Sequence, residues 1–206
     1  MDRSKWMDPD EATRLLSMTR DRAAQDLRAG RGGWVVRWML VDLALETGLR
    51  VSELARLTVG DHDPKRRSLR VWRHKRRRPV QETLAVSPDL AGHLAEFIEW
   101  KRLVGQPVGG ADRLLMGKRG PLTADGLARS WKAAVANAKL PASLSIHCAR
   151  HTVATQLLRR TGNLVLVQRR LGHTSPAVTA NLYCGLDWET EQRAVDGLYR
   201  AKDGGQ

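Results

Sequence analysis

Apolar residues three and four positions apart recur along most of this chain, which is the spacing of a helix with one face turned inward. Asp8-Pro9-Asp10-Glu11 reads as a helix start, with Asp8 as the cap, Pro9 in the first turn and Glu11 as the capping-box acid. That helix is predicted to run to about Leu27, before the glycine-rich "AGRGG". A second spans about Gly33 to Glu46, Gly48 breaks it, and "RVSELARL" forms a third. Ser87-Pro88-Asp89 opens another helix, with Leu90, Leu94, Phe97, Ile98 and Lys101 at helical spacing. From Val104 to Pro121 glycine and proline mark a loop, with "RLLM" extended inside it. Thr123 caps a helix reaching about Ala138, closed by Pro141. Helical patterns follow at about 147–161, 163–171 and 176–183, and the tail carries one apolar stripe, Val195, Leu198 and Tyr199.

Only one stretch departs from this period. Leu69, Val71 and Trp72, followed by "VQETLAV", are β-formers flanked by turn positions at Pro64 and at 76–79. They predict a short antiparallel sheet. The fold class expected is therefore mainly α with a small antiparallel β-sheet (α+β). It forms one domain over residues 1–206, with a core at about 8–186 and a tail at 187–206. No repeat or low-complexity linker interrupts it.

Composition narrows the partners. A chain of 206 residues that is 42% hydrophobic can bury a real core, and its formal net charge of +13 implies an anionic partner. Nucleic acid leads, and an anionic membrane surface comes second. Arg37 and Asp42 interrupt the longest apolar run, so no bilayer-spanning segment is expected, and the charged N-terminus lacks a signal peptide's apolar stretch. Two cysteines make no disulfide framework; reduced thiols and a cytoplasmic, DNA-associated protein are expected. The seven tryptophans are assigned to core packing.

Charge is concentrated around the predicted sheet. Lys65, Arg66, Arg67, Arg70, Arg73, Lys75, Arg76, Arg77 and Arg78 fall between Pro64 and Gln81 with no acid among them. A sheet with a cationic tip suits a DNA backbone, and Lys65, Arg66, Arg67, Arg73, Arg76, Arg77 and Arg78 are the candidate DNA-binding residues.

Four segments carry candidate chemistry. In "ETGLRVSELARL", Gly48 permits an awkward turn from which Arg50 projects, and Glu53 can hold Arg50 or the helix start; the same phrase also suits a helix-turn-helix. Lys75 on the hairpin can deliver a proton where always-charged arginines cannot, or it is one phosphate contact among nine. In "IHCARH", His147, Arg150 and His151 share a helix face. His147, Cys148, His151, His173 and Cys184 lack metal-ligand spacing, so no metal and no cofactor is expected. In "RRLGHTSPAVTANLYCGL", Gly172 ends a helix, His173 follows in the turn, and Tyr183 lies ten residues on.

In this order, an arginine after T-G-L, a hairpin lysine, H-x-x-R-H, L-G-H and a tyrosine resemble the catalytic set of the tyrosine recombinases, or phage integrases. The resemblance covers about residues 8 to 190. It implies metal-free cleavage and rejoining of double-stranded DNA through a 3′-phosphotyrosyl bond at Tyr183, leaving a free 5′-hydroxyl. Arg50 and Arg150 would grip the phosphate, His147 would take the tyrosine proton or stabilise the transition state, and His173 would donate to a phosphate oxygen. Lys75 would protonate the leaving oxygen. It also implies tetramers on paired sites, with a monomer as one alternative in isolation; the stripe at 187–200 is a candidate for exchange between subunits, and packing within its own chain is the alternative.

Three departures from the family pattern stand out. Ala149 replaces the usual leucine, and "HKRRRP" lacks the glycine beside the lysine, so Arg76 and Arg77 are alternatives to Lys75. A separate N-terminal core-binding domain is expected to be absent from this sequence, either as in the short invertases or because the sequence is a fragment of a longer protein. The rival readings are a non-catalytic helix-turn-helix DNA-binding protein, a zinc-dependent hydrolase, and a type IB topoisomerase-like activity.

Overall fold

The computed structural model describes residues 6–75 and 78–172. Helix α1 (Pro9–Arg28) lies along α2 (Gly33–Thr47), and after Gly48 comes α3 (Val51–Leu54), a single turn. A 3-10 turn at Val59–Asp61 leads into β1 (His62–Asp63), β2 (Ser68–Lys75) and β3 (Arg78–Ala85), then α4 (Pro88–Leu103). Two short strands, β4 (Met116–Gly117) and β5 (Gly120–Pro121), precede α5 (Ala124–Asn137), α6 (Ile146–Thr161) and α7 (Leu164–Leu171). The mostly helical architecture with a small antiparallel sheet is the one expected. Among the described residues, no helix is long and apolar enough to cross a membrane.

The predicted helix starts are built as the sequence implies. Asp8 Oδ1 accepts from the Glu11 N–H at 2.8 Å while Glu11 Oε2 accepts from the Asp8 N–H at 3.0 Å, closing the capping box with Pro9 in the first turn. Ser87 and Thr123 cap α4 and α5 with the side-chain half of such an arrangement, their hydroxyl oxygens accepting from the N–H groups of Leu90 and Gly126. α2 is buried along most of its length, from Val35 and Val36 through Met39, Leu40, Val41, Leu43 and Ala44. Around it α1, α4, α5 and α6 pack, and Trp131 of α5 is wholly buried with its indole N–H donated to the Leu144 carbonyl.

Three expectations differ from the structure. The segment "RVSELARL" keeps only one helical turn, because the chain swings away through Leu57 to form a bridge between Thr58 and Arg113. The loop from Val104 to Pro121 contains a second small hairpin, β4–β5, which glycines at 117 and 120 allow within very few residues. Lys101, which the helical spacing aligns with the apolar residues of α4, is wholly buried with them, and its ammonium donates to the carbonyls of Arg113 at 2.6 Å and Leu114 at 3.0 Å, tying that loop to α4. Of the tryptophans, Trp131 alone is fully buried among the described residues, and Trp72 is 47% exposed on the sheet. The expected helix at 176–183 and the tail at 187–206 lie outside the described residues.

The sheet has the order β1-β2-β3, with Ser68 opposite Ala85 and Lys75 opposite Arg78. Its inward positions on β2 are Leu69, Val71 and Arg73, exposed 0%, 1% and 1%. An arginine thus occupies the third apolar position of a strand, where the period of two gives it no route to water.

Candidate active site

Gly48 is the point on which the site is built. Its φ of +66° ends α2 in the left-handed conformation, and a Cβ there would meet Leu171 Cδ2 at 2.8 Å and Val153 Cβ at 3.2 Å. Only glycine lets the end of α2 sit this close to α6 and α7. Two residues later Arg50 caps α3. Its N–H donates to Glu53 Oε2 at 2.8 Å and its guanidinium to Oε1 at 3.0 Å, so Glu53 serves both the arginine and the helix start. Arg50's side chain remains 42% exposed while the Glu53 carboxylate is 6% exposed.

Arg150 comes to the same place from α6. The residue is 8% exposed, and its guanidinium donates to the Gly48 carbonyl at 2.8 Å and the Leu171 carbonyl at 2.6 Å. Burial, foremost, and then the neighbouring positive charge of Arg50 lower it to about 10, with Glu53 opposing and Arg73 adding to the fall. Arg50, Arg73 and Arg150 therefore share one electrostatic neighbourhood with Glu53. Such a cluster favours an anion, and paired guanidinium donors match the oxygens of a phosphate.

The other expected residues divide. His147 is exposed on the first turn of α6, one turn ahead of Arg150. Lys75 ends β2 at the hairpin, across from Arg78. Cys148 is buried and His151 half-buried, and the described residues hold no group of three or more His, Cys, Asp or Glu that could bind a metal. His173, Tyr183, Cys184, Arg76 and Arg77 lie outside the described residues.

The cationic tract is not one patch. Lys65, Arg66 and Arg67 are exposed on the β1–β2 turn, at the opposite end of the β2–β3 ladder from Arg78. At about 3.4 Å per residue the two ends stand roughly 24 Å apart. Arg73 is no surface cation. Its Nε lies 3.1 Å from Glu82 Oε2, and its guanidinium donates to the Arg170 carbonyl at 2.6 Å. Burial lowers its pKa, and Glu53 and Glu82 counter that. Sequence reasoning placed it on the DNA because of its charge, although the alternation of Leu69, Val71 and Arg73 points it inward.

The phage integrase family description matches residues 5–189. The chain belongs to the phage integrase family. It is 30% identical over 199 residues to the tyrosine recombinase XerC of Shewanella amazonensis, covering 95% of this chain and 61% of that protein. With the XerC of Brucella suis biovar 1 it shares 33% over 187 residues, 89% of this chain and 55% of the relative. It therefore spans a little over half the length of these relatives. Among solved structures, a XerA recombinase superposes with a TM-score of 0.72 at 22% identity over 95% of this chain and 65% of that one. The Tn1549 transposon integrase, solved in complex with transposon right end DNA, gives 0.75 at 21% over 97% and 68%. Both likenesses show a shared fold. For the phage integrase chain, the helix-turn-helix rival loses its main support, since a four-residue α3 has no length to lie in a major groove.

Proposed function

We propose that this chain is a site-specific DNA recombinase that cuts and rejoins double-stranded DNA through a 3′-phosphotyrosyl bond at Tyr183, without a metal. The observation that supports this reading most strongly is the meeting of Arg50 and Arg150 around Gly48, from segments far apart in sequence, with Glu53 as the acid they share.

In this reading the Tyr183 oxygen attacks the phosphorus and gives its proton to His147. A new O–P bond forms as the bond to the 5′-oxygen breaks, and Lys75 protonates that oxygen. Arg50 and Arg150 counter the negative charge that builds on the non-bridging oxygens, and His173 donates to one of them. Because the phosphotyrosyl bond conserves the energy of the broken linkage, the reverse attack rejoins the strand without ATP. Lys65, Arg66, Arg67, Arg76, Arg77 and Arg78 would hold the duplex backbone. Assembly as a tetramer on two sites, with the tail at 187–206 exchanged between subunits, follows from the family resemblance. The cytoplasm is the corresponding compartment.

The test uses a nicked suicide duplex incubated in EDTA. An SDS-resistant protein–DNA adduct that disappears in Tyr183→Phe is expected. Cleavage that needs a divalent metal, or an adduct retained in Tyr183→Phe, would overturn the reading.

A further inference from the structure

The last four carbonyls of any α-helix have no partner within the helix and must find one elsewhere. In α7 every one of them does. The Gly172 N–H serves the carbonyls of Gln168 and Arg169, Arg73 serves that of Arg170, and Arg150 serves that of Leu171. Two of these three partners are guanidiniums, and the negative end of the helix dipole favours them. One is the candidate phosphate ligand Arg150. The other, Arg73, is held on the inward face of β2 beside Glu82 and has no place in the chemistry proposed so far.

Gly172 completes the arrangement. It has a φ of +66°, and a Cβ at that position would fall 1.9 Å from Arg73 Nη1 and 2.6 Å from its Cδ. The bare backbone of Gly172 is thus what admits the arginine beneath the end of α7. Arg73 Nη1 is itself buried and makes no hydrogen bond among the described residues. Leaving a buried donor unmatched costs stability, so the side chain is not placed here for fold strength alone.

We infer that Arg73 is a positioning residue of the strand-cleavage reaction. Through the Arg170 carbonyl it fixes the end of α7, and the adjacent Leu171 carbonyl in turn fixes the guanidinium of Arg150 against the phosphate. This rests on the proposed recombinase activity and adds to it a residue that does not itself touch DNA. A neighbouring polar tie acts on the same end of the helix: Arg170 donates to the Glu46 carbonyl at 3.0 Å and also to the Ala85 carbonyl.

The experiment compares the wild-type chain with Arg73→Lys, Arg73→Ala, Gly172→Ala and the Arg73→Ala/Gly172→Ala double variant. The probe is a suicide duplex recovered by the wild-type chain, as an SDS-stable adduct, from a random-sequence pool. Single-site Kd, single-turnover adduct rate and Tm are measured in parallel. For a displacement of Arg150 of about an ångström, Arg73→Ala is expected to slow the adduct step roughly 100-fold with Kd little changed. Arg73→Lys, which keeps a donor for the Arg170 carbonyl, should recover part of that rate. Gly172→Ala should also be slow, and the double variant no slower than the slower single, because both changes break one contact.

If Arg73→Ala lowers binding and rate together in proportion to its Tm, or if the two losses multiply, Arg73 is structural and the inference falls. If the wild-type chain captures no duplex, the recombinase reading fails first and takes the inference with it.

Discussion

The Gly48 carbonyl accepts a 2.8 Å hydrogen bond from the buried guanidinium of Arg150, across a sequence separation of 102 residues. One glycine thereby ends α2, admits Leu171 and Val153 at contact distance, and orients a candidate phosphate ligand. Gly48→Ala combines a strained left-handed backbone with overpacking and is expected to cost about 2–4 kcal/mol. Urea denaturation at unchanged m-value measures this. A loss below about 0.5 kcal/mol, within the range of ordinary surface changes, would show that the junction is not under the constraint described.

The cationic cluster predicts a response to simple anions. Burial and the charge of Arg50 hold Arg150 down at about 10, below its ordinary value. Folding therefore penalises the protonated guanidinium; the penalty is fully present below that pH and fades as pH rises through it. Low-millimolar inorganic phosphate at fixed ionic strength should raise Tm, and the increment should persist up to about pH 9, since Arg150 stays charged there. The increment should shrink in Arg50→Ala. An undiminished increment in that variant would mean the phosphate binds elsewhere.

Separation of the basic tract into two ends gives a kinetic distinction. Replacing Lys65, Arg66 and Arg67 with alanine removes contacts at the end of the sheet away from Lys75 and Arg78. Each lost phosphate contact should reduce the log–log salt slope of binding by about 0.9. The adduct rate of already bound DNA should not change. If that rate also falls several-fold, the turn reaches the scissile phosphate and the two ends act as one surface.

Lys101 tests the same economy of carbonyl partners far from the chemistry. Lys101→Met strands the carbonyls of Arg113 and Leu114 in the interior and is expected to lower stability by about 1–3 kcal/mol. DNA affinity and adduct rate of the folded protein should be those of the wild type. Stability equal to or above wild type would mean that burying the ammonium costs more than its two hydrogen bonds return.

Much of this architecture was readable in the residues, for reasons that differ by element. Capping chemistry at Asp8, Ser87 and Thr123 is local, so three helix starts follow from a few residues each. Arg50 and Arg150 were legible through the family resemblance, and their convergence is a tertiary fact that no spacing encodes. Arg73 was misread because charge was weighed above parity: Leu69 and Val71 set the inward face, and the strand period carries Arg73 onto it. The one-turn α3 is not legible because the Thr58–Arg113 bridge that draws the chain away is long-range, and the β4–β5 hairpin because two-residue strands carry no alternation to read. The spacing aligned Lys101 with the apolar face of α4, but its partners are backbone carbonyls of a distant loop, which no side-chain pattern reveals.

The chain has two tyrosines, Tyr183 and Tyr199. The most direct measurement isolates the SDS-stable adduct, digests protein and DNA, and identifies by mass the peptide that carries the nucleotide. The expected result is a nucleotide joined through its 3′-phosphate to Tyr183, and little or no adduct in Arg50→Ala or Arg150→Ala. A nucleotide on Tyr199 or any other residue, or full adduct formation without either arginine, would contradict a phosphate held by these two guanidiniums and attacked by Tyr183.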